Sequence, residues 1–382
     1  MAEWHLLTGE YPPQVGGVSD YTRLVAGGLA AAGDAVHVWC PPAGGPGPDV
    51  PGVAVHREMG RFTPRDLARA GRMLDRFAGA RRLLVQWVPH SYGLRSLNLA
   101  FCAWLWDRAA RRGDRVELMV HEPFLAFGAR SPLHNAAAAV HRVMTATLLR
   151  AASRVWVSAP LWEERWRPYA LGRRVPFAWL PIPANVPPVN DAAGAAALRS
   201  ALAPPGSLLL GHFGTYGADV AELLEPLLVR LLRARPGTRA LLLGRGGERF
   251  RDEVLAREPA LAGRITATGG LPPDWLSLHL AACDLMLQPY PAGVNARRGS
   301  LMAALQHGLP VVTTSGWLTE PVWAESGAVA MAPDGDAAAL AARALELIPD
   351  AGARARLGAA AGALYDRRFD LRHTVAALRE SV

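Results

Sequence analysis

Short runs of Val, Leu and Ile alternate along this chain with longer stretches in which apolar residues recur every three or four positions. Strand-length apolar runs separated by amphipathic helices are the signature of βαβ units and parallel sheets. In the first half the pattern predicts strands at 4–7, 36–40, 53–56, 83–87, 116–120, 155–158 and 178–180, with helices at 18–32, 64–78, 94–112 and 134–151. The alternation resumes after residue 207. Strands are predicted there at 208–213, 240–243, 265–268, 285–288, 311–313 and 329–331, and helices at 220–234, 273–283, 300–307 and 337–348, with two more from 351 and 371. Between the halves, "LPIPANVPPVNDAAGAAALRSALAPPG" is crowded with proline and reads as a linker holding a short helix. The predicted organisation is therefore α/β, with two Rossmann-like doubly wound domains facing each other across a cleft. Their expected bounds are 1–183 and 207–365, with a linker at 184–206 and a closing helix at 366–382 placed to pack back on the first domain. Ligands are expected outside the carboxyl ends of the strands.

A composition of 51% hydrophobic and 19% charged residues fits a globular chain. Its apolar stretches, such as "LNLAFCAWLW", fall short of the roughly 20 residues needed to span a bilayer. The opening "AEWHLL" has strand character and no basic n-region, so no signal peptide is expected. Three scattered cysteines suit a reducing cytoplasm. The net charge of +8 comes entirely from arginine, since the chain has no lysine. Residues 1–190 hold 22 Arg against 14 Asp and Glu, and the remainder holds 19 against 19, so the excess lies in the first half. There, arginine alternates with tryptophan in "WLWDRAARRGDR" and "WEERWRPYALGRRVPFAW". That pairing suits an anionic membrane surface or a phosphorylated acceptor; the alternative is a solvated helix face with tryptophan in the core. No nucleic-acid motif accompanies the basic residues.

Two stretches carry candidate chemistry on their own. Gly16 and Gly17 precede a helix, where backbone N–H groups favour phosphate, although a plain strand-to-helix turn fits equally. The spacing G-x-G-x-x-G is absent there, which weakens a dinucleotide reading. Farther on, "NARRGSLMAALQHGLPVV" sets Arg297, Arg298, Gly299 and Ser300 at the mouth of a buried helix.

The segments "YPPQVGGVSDYTRLVAGGL", "VHEPF", "VSAPLWEERW", "LPIPANVP", "FGTYG" and "RRGSLMAALQHGLPVVTTSGWLTEPVW" occur in an order that resembles the retaining GT-B glycosyltransferases of family four. The resemblance implies a nucleoside-diphosphate sugar donor held mainly by the second domain and a polar or lipid-linked acceptor held by the first. It also implies retention at the anomeric carbon, no metal or other cofactor, and a role in surface polysaccharide or glycoconjugate synthesis, in the cytoplasm or at the inner face of the membrane. Where the family has "EAMACGLPVV" this chain has "AALQHGLPVV", keeping Gly308 and Pro310. The two glutamates of the family's Glu-x7-Glu signature become Asn295 and Ala303, and "FGTYGADV" lacks the family's Arg and Lys. The diphosphate charge is then expected to fall on Arg297, Arg298, Ser300 and the N–H of Gly299, with Arg245 and Gly17 as further contacts. Asn295 is expected to bond a sugar hydroxyl, and His121 to face the donor sugar. Glu320, Val294, Gly16, Gly270 and Leu271 are expected around the sugar or nucleoside, and Asp20, Glu10 and Glu122 on the acceptor side. Two other readings stand beside transfer: a degenerate transferase kept as a sugar-nucleotide-binding or partner-binding subunit, and, ranked last, a sugar-nucleotide epimerase.

Overall fold

The computed structural model describes residues 2–45, 47–79, 81–128 and 131–380. The chain forms two compact units, one built from 1–181 and 371–382 and the other from 182–370. In the first unit the strands are β1 (Glu3–Leu7), β2 (Ala35–Trp39), β3 (Val53–His56), β4 (Arg82–Trp87), β5 (Arg115–Val120), β6 (Ala152–Val157) and β7 (Phe177–Trp179). Helices α1 (Gly17–Ala31), α2 (Pro64–Leu74), α3 (Leu99–Arg112), α4 (Pro132–Ala151) and α5 (Leu161–Trp166) connect them. The second unit carries β8 (Leu208–Phe213), β9 (Thr238–Leu243), β10 (Ile265–Ala267), β11 (Leu285–Gln288), β12 (Val311–Ser315) and β13 (Ala330–Pro333). Its helices are α6 (Ala192–Leu202), α7 (Ala218–Ala234), α8 (Gly247–Arg257), α9 (Pro273–Ala281), α10 (Gly299–Gln306), α11 (Pro321–Ser326), α12 (Ala337–Leu347) and α13 (Ala351–Arg368), and α14 (Leu371–Glu380) returns to the first.

Both sheets are parallel, in the orders β3-β2-β1-β4-β5-β6-β7 and β10-β9-β8-β11-β12-β13. In each, the strand order reverses beside the first strand of the unit, between β1 and β4 and between β8 and β11. A doubly wound sheet opens a crevice at that place, at the carboxyl ends of the strands. Strand β4 is buried at all six positions because helices cover both faces of the sheet.

Part of the predicted linker is structured within the second unit. Ile182 donates its N–H to Ala296 at 3.0 Å, Val189 N–H reaches Ser277 Oγ at 2.8 Å, and Arg199 on α6 pairs with Asp284 at 2.8 Å. The arginine and tryptophan runs divide between surface and core, with Trp106 49% exposed. Trp162 and Trp166 lie in the core, and Arg108 is buried between Asp114 and Asp75 with its guanidinium beside Trp104. Packing and buried ion pairs account for these residues.

Helix α14 is fastened to the first unit by shape and charge. Gly28 of α1 lets it approach so closely that an added Cβ would sit 2.8 Å from Val375. Arg82 donates from Nη2 to the Leu378 carbonyl at 3.2 Å and to Glu117 at 2.5 Å, while its guanidinium lies over Trp4 at 3.7 Å. Trp156 Nε1 donates to the other Glu117 oxygen at 2.8 Å, and Arg379 pairs with Asp34 at 3.1 Å.

A histidine stack runs across the first three strands. His5 and His37 are stacked with ring centroids 5.1 Å apart, His37 Nδ1 meets His56 Nε2 at 3.1 Å, and Phe77 packs edge-on. Trp39 Nε1–H donates to His5 Nδ1 at 3.1 Å, which requires that nitrogen to be unprotonated. Burial first, then the neighbouring histidines and the charges of Arg81 and Arg108, lowers His5 to about 3. Burial also lowers His37, against the pull of Glu3, and His56. His5 is neutral in the fold and free to protonate in the unfolded chain, so stability falls as pH drops from 6.5 toward about 3, and the lowered His37 and His56 add to the loss below 6.5. The slope is at most about 1.4 kcal/mol per pH unit for each such ring. Thermal melts across that window are expected to show the loss, and His5→Phe is expected to flatten it; an unchanged acid limb in the variant would clear the stack of this role.

Candidate functional site

In the second unit the crevice between β8 and β11 is lined by the segments that follow those strands. The "FGTYG" turn after β8 holds Tyr216 at φ +55°, buried, with its hydroxyl donating to the Leu243 carbonyl at 3.1 Å. Packing occupies the one large side chain of the turn. Gln288 ends β11 fully buried and bridges to β8 by donating Nε2–H to the Phe213 carbonyl at 3.2 Å. Its Oε1 accepts from Tyr290 Oη at 3.4 Å, and Tyr290 Oη lies 3.0 Å from Ser300 Oγ. Burial pushes the Tyr290 hydroxyl up to about 12, so it remains a donor at neutral pH. The Arg298 guanidinium sits 4.8 Å from the centre of the same ring. Tyr290 thus holds the hydroxyl of Ser300 with its polar end and the cation of Arg298 with its face.

Arg298 is also the N-cap of α10, and no side chain caps that helix. Helices α2, α3, α4, α6, α12 and α13 each begin at a Thr, Asn, Ser or Asp that accepts a backbone N–H, whereas α5, α7, α8, α9 and α11, like α10, have no side-chain cap. The first turn of α10, with Gly299 and Ser300 partly buried, therefore adds the positive end of a helix to a guanidinium. Two like charges are brought together where an anion would relieve both.

The chain just before α10 is tied internally. Val294 N–H donates to the Thr314 carbonyl at 2.8 Å, and Asn295, fully buried, donates Nδ2–H to the Gly293 carbonyl at 3.0 Å. Ala296 N–H reaches both oxygens of Glu320 at 3.1 and 3.2 Å, and Trp323 Nε1 donates to Glu320 at 2.7 Å. Burial raises the Glu320 carboxyl while these donors and the charge of Arg297 pull the other way. These arrangements revise three expectations. Val294 and Asn295 shape the loop from inside, and Glu320 clamps it in place of reaching outward. Ala303, where the family glutamate would stand, is fully buried on α10. With Arg297 in the field of Glu320, Arg298 becomes the leading cation. Arg245, after β9, is exposed and lies across Gly270, whose added Cβ would be 3.2 Å from Arg245 Cγ; Leu271 beside it is half-buried.

In the first unit the crevice between β1 and β4 has a different character. Glu10 Oε1 accepts from Val18 N–H at 3.1 Å and Ser19 N–H at 2.9 Å, so the anion at the start of α1 is the chain's own. Gly16 makes room for it, since an added Cβ would meet that oxygen at 2.3 Å. The expectation of a donor phosphate at Gly16 and Gly17 is corrected accordingly: the dipole is already satisfied. Glu10→Ala is expected to lower stability by about 1 kcal/mol, as loss of a helix cap does, read by denaturant titration; no change would show the bonds to be idle. Asp20 stands partly buried in the first turn of α1.

His121 follows β5 and is nearly buried, with Nε2 2.9 Å from Gln86 Oε1 and its ring edge-on to Tyr21 at 4.9 Å. An amide oxygen on Nε2 makes that nitrogen the donor and Nδ1 the acceptor. Glu122, half-exposed, lies 3.7 Å from His90. Among the described residues no three His, Cys, Asp or Glu side chains gather as a metal-ligand set. Sequence reasoning missed Gln86, Gln288 and Tyr290. The available signal for the two glutamines was a Gln at or next to the carboxyl end of a strand with an apolar core, in "RLLVQW" and "LMLQ".

Residues 207–350 match the family model described as Glycosyl transferases group 1. No curated protein matches the chain. Among solved structures, sucrose-phosphate synthase from Thermosynechococcus elongatus aligns with a TM-score of 0.74 and 18% identity, over 100% of this chain and 98% of that one. Anabaena HepE in complex with UDP and glucose aligns at 0.70 and 17%, over 100% and 99%. WaaG, a glycosyltransferase involved in lipopolysaccharide biosynthesis, aligns at 0.67 and 14%, over 99% and 98%. At these identities the likeness is one of fold.

Proposed function

With a glycosyl transferases group 1 match over residues 207–350 and the two parallel α/β units of a GT-B fold as premises, we propose that this chain transfers a sugar from a nucleoside diphosphate to a polar or lipid-linked acceptor. The observation that carries the reading is Arg298 at the uncapped start of α10, held against Tyr290 beside Ser300. As the bond from sugar to diphosphate breaks, negative charge grows on the leaving group, and fixed donors at that point lower the barrier. In this proposal Arg298 and the first N–H groups of α10, that of Ser300 among them, are those donors, with Arg245 as a second cation. Within the first unit, His121 oriented by Gln86 is proposed to bond a sugar hydroxyl, and Asp20 and Glu122 to bond the acceptor. Retention, independence of metal and a place in surface glycoconjugate synthesis belong to the same proposal.

The test is a thermal-shift screen with uridine, guanosine, adenosine and thymidine diphosphates. UDP comes first, because UDP and UDP-glucose are what the HepE structures hold. A ligand at about 100 times its Kd stabilises by about 2.7 kcal/mol, several degrees for a unit of this size. A flat response to all four would sink the reading. Product mass after incubation with a membrane extract, with and without chelator, then reports turnover and metal use.

A second reading rests on Asn295 and Ala303, both fully buried and both lacking the carboxylate of the family signature. It makes the chain a sugar-nucleotide-binding subunit without chemistry. Diphosphate binding with no product from any donor would favour it.

A further inference from the structure

A cavity of about 500 Å³ opens in the second unit, away from the crevice between β8 and β11. Its position follows from the strands. Leu208 and Thr238, which open β8 and β9, and Asp284, which immediately precedes β11, stand on its wall with Arg199, Arg235 and Arg354. The cavity therefore lies at the amino ends of the sheet, whereas "FGTYG", Gly270 and the loop before α10 follow the carboxyl ends. The six residues of β8 set the two ends about 20 Å apart.

The wall carries more positive charge than the chain itself balances. Among the described residues that line it, Asp284 is the one carboxylate against three guanidinium groups. That carboxylate is engaged twice, since its Oδ2 accepts from Arg199 Nη2 at 2.8 Å and from Leu209 N–H at 2.7 Å. Arg354 is held by carbonyl oxygens at the end of α12, donating from Nη1 to Leu347 at 2.8 Å and to Ile348 at 2.6 Å, which fixes the guanidinium and offsets its charge only in part. Arg235, exposed at the end of α7, brings the third cation. Beside it Arg264 donates to the carbonyls of Leu232 at 2.7 Å and Arg235 at 2.8 Å, and burial, then the charge of Arg239, lowers it.

We propose that this cavity is a second anion site, which takes a small phosphorylated solute of the sugar-phosphate class. The phosphoryl group lies between Arg235 and Arg354, whose planar N–H forks match phosphate oxygens. The rest of the solute lies against Leu208, Pro236 and Ile348 on the same wall. A bare phosphate underfills the space, which falls within the range of about 300–1,000 Å³ typical of small-molecule sites. Because the site neither needs nor blocks the start of α10, it stands whether or not the chain transfers a sugar.

Titration calorimetry of the full chain with ribose 5-phosphate, beside ribose and inorganic phosphate, tests this. Ribose 5-phosphate is expected to bind, inorganic phosphate to bind about tenfold or more weakly, and ribose not to bind, since most of the affinity comes from charge-assisted bonds. Arg235→Glu, at an exposed position, is expected to weaken ribose 5-phosphate about tenfold or more, the scale of one charge-assisted hydrogen bond. Arg354→Gln, which keeps a donor for the end of α12, is expected to do the same. Arg298→Ala is expected to bind as wild type, because its crevice is at the other end of the sheet. No binding by wild type, equal binding of phosphate or ribose, affinity that survives both the Arg235 and the Arg354 change, or affinity lost with Arg298→Ala would each overturn the proposal.

Discussion

Arg298→Ala is expected to erase the stabilisation by a nucleoside diphosphate and to lower kcat/KM for transfer by about 100-fold or more, the scale set by removing one fixed donor from a developing anion. The reason lies in how the residue is held. Its guanidinium rests on Tyr290, its backbone begins α10, and no side chain caps that helix. Removing it takes away the guanidinium that stands beside the positive end of the helix. Tyr290→Phe makes a graded comparison: the ring under the guanidinium remains, while the bonds to Ser300 and Gln288 go. A smaller fall is expected, with kcat reduced more than affinity. If Arg298→Ala binds the diphosphate as wild type does, the anion sits elsewhere and the site assignment fails, whatever the activity.

The second large effect concerns stability. Glu117→Ala is expected to destabilise the first unit by about 3–5 kcal/mol, because it takes the nearest carboxylate from a buried arginine. Arg82 is sandwiched between Glu117 and the face of Trp4, and Trp156 loses its acceptor in the same step. Calorimetry should resolve this as a fall of about 10 °C in the transition of the first unit. The transition of the second unit should stay in place. Exchanging Arg82 and Glu117 together for apolar residues of similar volume is expected to recover much of the loss. A single-variant shift within about 1 kcal/mol would mean that water reaches the pair.

Strand-length apolar runs located both sheets to within a few residues, since parallel strands covered on two faces must be apolar almost throughout. Helix ends were less legible. The pattern runs 94–112 as one helix, whereas the structure places short turns at Pro89–Tyr92 and Leu94–Ser96 before α3. Leu94, Arg95 and Ser96 all have positive φ there, a conformation no composition rule flags. Site chemistry was legible where charge and position coincide in the sequence, as in "NARRGS". It was illegible where a residue's role depends on a partner far along the chain. Glu10 capping α1 from seven residues before Gly17, Glu320 clamping Ala296, and Gln86 orienting His121 are contacts made by the fold. Tryptophan beside arginine was ambiguous for a related reason: neither residue type says which way it faces.

Because α14 belongs to the first unit although the whole second unit precedes it in the chain, the nascent protein cannot seal its first sheet in the order it is made. Until residues 371–380 leave the ribosome, Gly28 and the Arg82 pair stay uncovered. The opening half waits, incomplete, through the synthesis of residues 182–370.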